Sequence, residues 1–525
     1  MRSEVISIDA PIEGWNAYDS LDNMPPTAAI VLNNLIPGTG TVDTRQGTLE
    51  YYDLGTGEPC ETVASLDSSE ASLLVAASAG GMWDITDTQV EVAATEVTEL
   101  APIGTFLNDR WQHKNFRRAD ENGILLMCNG VDNTQVITPG TPSTLTDLVD
   151  TDLVGTDFIG VEVFKGRCYY WKDNDDAFYY TDAGSYQGNL IRFPLGAFVQ
   201  KGGKLLLVST WTQQDSGDGR DDFIIFVFSS GEILTYQGDD PGGIGFFEMV
   251  GRYFTAEPLS VRGMDNYGND IIIMTKDGYV GLSSIIQQGR TSDVAQFSRL
   301  IHKAIVAETA IRADLFGWDC KLFAKKGLMV FNVPLSDTTF EQHILNTVTR
   351  KWCRFKGINV NCMDVHNERL FGGTVDGRVL AILESTSDEG RPITFEALYA
   401  FNYLGNAGIQ KHLTAAQVLT THSAPDFIQL RGYADFDVPV IKPLKLPAEA
   451  SIGSWSIDPA TPPQTVGSFW DEDFWGRSGV PFTYKGWQNV SAFGYSVALM
   501  VRFAKLNEGV QWRSTTLRYH GAGSQ

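Results

Sequence analysis

Asp270–Leu282 reads DIIIMTKDGYVGL. Four apolar residues, Ile271 to Met274, run into Thr275-Lys276-Asp277-Gly278 and then into a second strand-like run. A short buried strand, an Asp-Gly turn and a returning strand make a β-hairpin signature. The phrase recurs in degenerate form along the chain. It is seen in Ser72–Thr86 (SLLVAASAGGMWDIT), Gly123–Thr138 (GILLMCNGVDNTQVIT), Arg167–Thr181 (RCYYWKDNDDAFYYT) and Phe223–Gly238 (FIIFVFSSGEILTYQG). Leu328–His343 (LMVFNVPLSDTTFEQH) and Arg369–Ala381 (RLFGGTVDGRVLA) complete the set. The turns fall at Gly81, Asn133, Asp176, Gly231, Gly278, Asp337 and Gly377. Their mean spacing is roughly 49 residues, a propeller-blade period. Lys204–Ser209 (KLLLVS) is read as the strand that begins the blade completed by Phe223–Gly238.

The expected fold is therefore all-β: a β-propeller of about six or seven blades, with an additional β-sandwich or platform-like domain and one short helical insertion. The expected division is 1–60 as an N-terminal extension and closing segment, 61–385 as the propeller and 386–525 as a C-terminal β domain. Composition shifts at Glu384–Gly390 (ESTSDEG), beyond which strands at Ile393–Tyr399, Leu413–Thr420, Phe427–Ala434, Tyr495–Phe503 and Val510–Tyr519 lack the blade phrase. Residues 443–483 are rich in Pro, Ser, Gly and Trp and read as a long excursion. Two helices are expected. One follows Pro25-Pro26 and ends at Pro37-Gly38. The other is capped by Thr291-Ser292-Asp293 and runs through Ala310, with Val294, Phe297, Leu300, Ile301, Ile305 and Val306 on one face.

Bulk numbers fit this reading. A chain of 525 residues, 43% hydrophobic and 20% charged, has globular composition. Its 52 glycines suit many short strands joined by turns. No window nears the ~18 unbroken apolar residues of a membrane span. The opening MRSEVISIDAPIEGW lacks the basic and apolar regions of a signal peptide, so synthesis and retention in a cytoplasm are expected. The six cysteines (60, 128, 168, 320, 353, 362) include no CxxC and read as free buried thiols.

Charge is uneven. The total is −24, yet residues 1–104 hold two basic and seventeen acidic residues, a net of −15, while residues 386–525 net −1. An acidic surface repels nucleic acid. Asp84, Asp87, Glu91, Glu96 and Glu99 lie in a segment without Lys or Arg and are the candidate channel or interface residues. The one dense basic stretch is Arg110, His113, Lys114, Arg117 and Arg118, interleaved with Trp111 and Phe116. That pattern suits nucleic-acid contact, an inter-subunit patch, or simple pairing with neighbouring carboxylates.

Catalytic and metal signatures are not found. The turns at Thr275–Gly278 and Thr374–Gly377 lack the Trp that completes a sialidase Asp box, and no tyrosine nucleophile or arginine triad stands out. Asp215–Asp222 has the carboxylate density of a calcium loop, but Phe226 stands where an EF-hand places its Glu. Asp173–Asp176 reads as a hairpin turn. No Walker loop, GxSxG, HExxH or paired catalytic carboxylate occurs. No catalytic residue, cofactor or metal is assigned.

GWNAYDSLDNMPPTAAIVLNN (14–34) followed by Arg45-Gln46-Gly47 resembles the opening of a group of phage and prophage structural proteins, and more distantly the tail nozzle or tail hub proteins of short-tailed phages. The likeness continues through Cys128–Asp132, Val163–Arg167, Thr210–Thr212, Gly217–Asp222 and Tyr236–Pro241, and spans residues 10–385. It implies a virion tail protein that forms a homo-oligomeric ring, a hexamer in the expected form, below a head-to-tail adaptor. Such a ring continues the DNA exit channel without sequence-specific binding and carries tail fibre or plug proteins. A receptor- or glycan-binding propeller at the virion surface is the alternative. An envelope-degrading enzyme is a third class, which requires clustered carboxylates in the propeller mouth.

Overall fold

The computed structural model describes residues 3–67, 72–86, 97–117, 123–140, 143–149, 157–214, 220–243, 245–288, 297–422, 427–438, 482–505 and 509–522. The chain divides into two compact units. One comprises Thr48–Val348 and Phe355–Ser385; the other comprises Met1–Gly47, Thr349–Arg354 and Thr386–Gln525.

The first unit is a β-propeller of seven blades among the described residues. The first four blades are four-stranded antiparallel meanders. Their innermost strands are Cys60–Asp67, Gln112–Phe116, Phe158–Phe164 and Leu205–Gln214. The last of these confirms the strand assignment for Lys204–Ser209. The fifth blade has three strands, Met264–Tyr267, Asp270–Thr275 and Gly278–Gly281, followed by the helix Leu282–Gln288. The sixth contains Asp319–Phe323, Leu328–Pro334 and Phe340–Asn346. The seventh is built from Val360–His366, Arg369–Thr374 and Arg378–Ser385, and Gly47–Asp53 from the start of the chain supplies its outer strand. Arg378 holds that closing strand through Glu50 at 2.9 Å, and Leu54 donates its N–H to the Gly377 carbonyl.

Every one of the seven recurring hairpins is the second and third strand of a blade. The reason lies in packing. A second strand has neighbours on both sides within its sheet and adjacent blades above and below. Ile271, Ile272, Ile273 and Met274 are all at most 1% exposed. Such a strand reads as an unbroken apolar run rather than an alternating one. Apolar clusters fill the gaps between blades: Leu66, Val75 and Leu125 between the first two, Phe178 stacked on Phe226 at 4.9 Å between the third and fourth, Cys60 and Phe371 between the seventh and first. The turns are tight. Gly231 has φ +78°, and a Cβ there would sit 2.3 Å from the Thr255 carbonyl oxygen. All six cysteines are free and buried.

The second unit is a two-sheet β module. In one sheet Gln410–His422 lies between Phe482–Gly494 and Gln511–Ala522, and Ser3–Asp9 adds to the far edge of Gln511–Ala522. In the other, Ala28–Asn33, Ile393–Tyr399, Val497–Lys505 and Phe427–Ala434 pair in that order. The sheets meet where the Tyr399 hydroxyl reaches the Thr515 hydroxyl at 3.0 Å. At Gly432 a Cβ would strike Ala492 and Val490.

Two local expectations are corrected. The segment after Pro25-Pro26 is a strand, Ala28–Asn33, and not a helix. Five of its six residues are buried, so no alternation betrays the strand, and Ile30 and Val31 are β-branched. The later helix is His302–Arg312, entered through a 3₁₀ turn at Arg299–Ile301. Its cap is therefore not Thr291-Ser292-Asp293, which lie outside the described residues, as does Val294. Ile301 and Ile305 are buried as expected, but Val306 is exposed. The 443–483 excursion falls almost wholly outside the described residues.

Candidate functional site

The seven innermost strands surround a cavity of about 310 Å³. Their side chains alternate between the blade interior and the axis, as strand geometry requires. At the axis the lining is charged: His113, Lys114, Glu162, Arg262, Asp265, Asp319 and Lys321 all border the cavity.

Three aspartates make one repeated contact. Asp265 of the fifth blade accepts the Leu322 N–H of the sixth at 2.7 Å. Asp319 of the sixth accepts the Met363 N–H of the seventh at 3.0 Å. Asp364 of the seventh accepts the Ser65 N–H of the first at 2.8 Å. Each carboxylate thus clasps the next inner strand, and the last clasp closes the ring of blades. Charge-assisted bonds of this type exceed neutral ones in strength.

Asp364 is the electrostatic centre. Lys321 lies 3.0 Å from one carboxylate oxygen and His113 2.9 Å from the other. Burial would raise the Asp364 carboxyl, but Lys321 and His113 override it and hold the group well below the usual carboxylate range. Burial opposes the charge on Lys321, yet Asp364, Asp319 and Asp265 together raise its pKa above the ordinary lysine value. For Asp265 and Asp319 burial wins and the pKa rises, with Lys321 offsetting part of the effect. Among the described residues no group of three or more His, Cys, Asp or Glu could hold a metal ion. Lys321 itself supplies positive charge amid the three aspartates.

The basic stretch is absorbed into this network. Arg110 chelates Glu61 at 3.0 Å and lies over the Phe316 ring. His113 meets Asp364, and Lys114 meets Glu162 at 2.7 Å. Pairing with carboxylates of the same chain is what the structure gives for these three. Arg117 is exposed, and Arg118 lies outside the described residues.

Of the acidic candidates, Asp84 ends the third strand of the first blade and Glu99 sits on its fourth. Neither is on an innermost strand. Asp84 is engaged: Thr86 donates to it, and the Ser143 hydroxyl of the second blade donates at 2.7 Å. Glu99 is exposed opposite Trp83. Asp87, Glu91 and Glu96 lie outside the described residues, as do 215–219 of the acidic loop. In Asp173–Asp176 the hairpin turns as expected, with Asn174 at φ +58° and Asp175 paired to Arg192 at 2.8 Å.

The stretches that carry the phage-protein resemblance have structural tasks. In Cys128–Asp132 the Asn129 side chain accepts the N–H groups of Val131 and Asp132 and shapes the hairpin. Arg167 donates to the Asp239 carbonyl and approaches the Asp240 carboxylate, so the third blade holds the fourth. In the second unit Arg45 is fully buried and forms a two-pronged pair with Asp388, at 2.8 and 2.6 Å, while its Nε donates to Asn34.

The aspartate clasps were not found from sequence. The available signal was an acidic residue in the strand preceding a blade hairpin: Asp265 before Asp270–Thr275, Asp319 before Leu328–Pro334 and Asp364 before Arg369–Thr374.

No protein-family model matches the chain, and no curated protein matches it. Solved structures do. The N-terminal portion of BBS1 in complex with ARL6 is 9% identical, with a TM-score of 0.39, covering 66% of this chain and 99% of that one. YCF48 from Cyanidioschyzon merolae is 13% identical, with a TM-score of 0.38, covering 64% and 98%. The computationally designed protein Ika8 is 12% identical, with a TM-score of 0.33, covering 67% and 96%.

Proposed function

We propose that the chain is a structural protein of a short-tailed phage, the nozzle or hub ring of the tail. The observation that supports this best is the internal pairing of Arg110, His113 and Lys114 with carboxylates of the same chain. Those cations are committed to the fold rather than offered to phosphate. With a total charge of −24, the surface is suited to a wall past which DNA slides. The sequence resemblance over residues 10–385 supplies the tail assignment. The cavity of about 310 Å³ is far too small for a duplex whose major groove alone is about 12 Å wide. In this reading DNA therefore runs between copies of the chain in a closed ring built from a heterologous interface.

The test is mass photometry and negative-stain imaging of the purified protein, alone and with the phage adaptor. A closed ring is expected, six-fold in the form that the resemblance implies. A protein that stays monomeric in both settings overturns the proposal. One feature favours the alternative of receptor or glycan binding. Trp487 and Phe493 are 42% and 56% exposed on one face of Phe482–Gly494, and Arg518 lies over the Trp487 ring at 4.6 Å. Glycan-array binding that is lost in Trp487→Ala would establish that reading instead.

A further inference from the structure

Where the propeller closes, three side chains from two blades fall into line. Asp67 ends the innermost strand of the first blade, and Ser72 opens the second strand of that blade. His366 ends the innermost strand of the seventh. The Asp67 carboxylate lies 2.9 Å from His366 Nδ1, and the Ser72 hydroxyl lies 3.1 Å from Nε2. The Ser65 hydroxyl also meets Nδ1, at 3.0 Å, and the Asn367 side-chain amide meets Nε2 at 3.1 Å. Nδ1 thus faces a carboxylate and Nε2 faces donors, which selects the tautomer with its proton on Nδ1. Burial holds the imidazole below its ordinary pKa against the pull of Asp67 and Asp364, so at neutral pH Nε2 keeps a free lone pair.

The serine is accessible and the histidine is sheltered: Ser72 is exposed, while His366 is only 3% exposed. Asn367 Nδ2 donates to the Ser72 hydroxyl at 2.9 Å, and the Asn367 backbone N–H is anchored on Asp67 at 2.8 Å. Asn367 and Glu368 form the two-residue turn between the paired His366 and Arg369, at φ +46° and +57°. Neither is glycine, and Glu368 is poorly suited to the left-handed region. Strain of this kind clusters at functional sites.

We propose that Ser72 is a nucleophile toward esters with a short acyl chain, with His366 as its base, Asp67 as the positioning residue and Asn367 as the oxyanion donor. The same roles recur on unrelated folds and are recognised by geometry rather than by sequence order. The Ser72 oxygen attacks the ester carbonyl carbon while His366 Nε2 takes its proton. Asn367 Nδ2 donates to the carbonyl oxygen as that oxygen gains negative charge. The bond from carbon to the alcohol oxygen then breaks, and His366 returns the proton to the departing oxygen. In the second half Nε2 takes a proton from water, which attacks the acyl-serine. The Ser72 oxygen leaves and recovers the proton, and a carboxylic acid is released. The residues at these turns, Asp67, Asn367 and Glu368, are exposed and polar, so they shelter no long acyl chain.

The experiment treats the full-length chain with diisopropyl fluorophosphate, maps the label by mass spectrometry, and measures initial rates on p-nitrophenyl acetate and p-nitrophenyl octanoate. The label is expected on Ser72, with the acetate turned over faster. Ser72→Ala, a change at an exposed position, should melt as the wild type does, take up no label there and lose about a hundredfold in rate. Asp67→Asn should lower kcat far more than it raises KM, because it disturbs the tautomer and not the binding of the ester. The labelling result on the wild type needs no variant to fold. The proposal is overturned if Ser72 stays unlabelled, if it is labelled without ester turnover, or if octanoate is the better substrate. It is equally overturned if Ser72→Ala keeps the wild-type rate or Asp67→Asn keeps the wild-type kcat, since a purely structural tie between the two turns gives those results.

Discussion

Asp319 accepts the backbone N–H of Met363 at 3.0 Å, a bond from the innermost strand of one blade to that of the next. Asp265 and Asp364 repeat it on either side. Three consecutive joints are thus fastened by carboxylates, including the one that closes the propeller between its last and first blades. The apolar clusters between blades supply most of the burial. They are not directional, and they do not set how far one blade advances on the next. A carboxylate that fits one N–H does set it.

The closing joint gives the first prediction. Asp364→Asn removes the charge that Lys321 and His113 face. Breaking a buried pair at one partner costs about 3–5 kcal/mol. Denaturant unfolding at pH 7 should show a loss of that order. The pH dependence has a definite sign. Because the folded-state carboxyl is held low, its contribution is present above the unfolded value near 3.9 and is lost as pH falls through that value toward the folded one. The wild type should therefore lose more stability on acidification below about pH 4 than Asp364→Asn does. Parallel curves would refute the electrostatic role.

Asp109 behaves in the opposite sense. It accepts the Gly80 N–H at both oxygens, and burial pushes its carboxyl up to about 6, with Glu61 and Asp132 adding to the rise. A carboxyl raised on folding binds more protons folded than unfolded. Its contribution is full below about pH 4 and falls as pH rises toward 6. Asp109→Asn should flatten stability across that window while keeping the contact to Gly80. Melting temperatures read at half-unit pH steps would show it. A variant with the wild-type slope between pH 4 and 6 would count against it.

Blade packing makes a sharper demand at Ile272, which is fully buried in the fifth blade. Ile272→Asp places a carboxylate where nothing can pair with it, at a cost of several kcal/mol. The variant should be insoluble on expression, whereas Ile272→Val should cost about 0.5–1.5 kcal/mol and stay soluble. Soluble, normally melting Ile272→Asp protein would mean that the second strand is not held between blades.

The hairpins were legible in sequence because a second strand, buried on every side, has no polar positions to blur it. The flanking strands were less so. Phe247–Phe254 at the rim has one buried residue in eight and carries almost no pattern. The strand Ala28–Asn33 was misread for the converse reason: with burial on both faces and a proline pair before it, it carries the features of a helix start. The axial network could not be read at all. His113, Lys114, Glu162, Arg262 and Lys321 lie up to about two hundred residues apart in sequence, and only the closure of the propeller makes them neighbours. Each alone resembles an ordinary surface charge.

In the second unit the Arg45–Asp388 pair invites a double-mutant cycle. Arg45 is wholly buried, so Asp388→Ala leaves its charge in the interior without the carboxylate that faces it. A loss of about 3–5 kcal/mol is expected. The combination Arg45→Met with Asp388→Leu should recover much of that, since two apolar groups leave no stranded charge. The measurement is equilibrium denaturation of all four proteins. A double variant no more stable than Asp388→Ala would show that the bidentate geometry, rather than relief of the buried charge, governs this site.

The acidic candidates separate into two kinds, and the last prediction uses the difference. Asp84 is bound by Thr86 and by Ser143 of the neighbouring blade, so Asp84→Lys should destabilise the isolated protein by breaking a joint between blades. Glu99 is exposed on the outermost strand of the same blade. Glu99→Lys should alter stability by no more than about 0.5 kcal/mol. If the rim of this blade faces DNA or a basic tail protein in the proposed ring, Glu99→Lys must act on assembly or ejection instead. A positive charge within about 10 Å of passing phosphate should slow DNA ejection, most strongly at low salt. If the residue meets a basic partner, complete tails should become rare while those that form eject DNA at the normal rate. Particle counts by electron microscopy and ejection rates at two salt concentrations distinguish the two. Unchanged assembly together with unchanged ejection would remove this rim from the functional surface, whatever its contribution to the net charge.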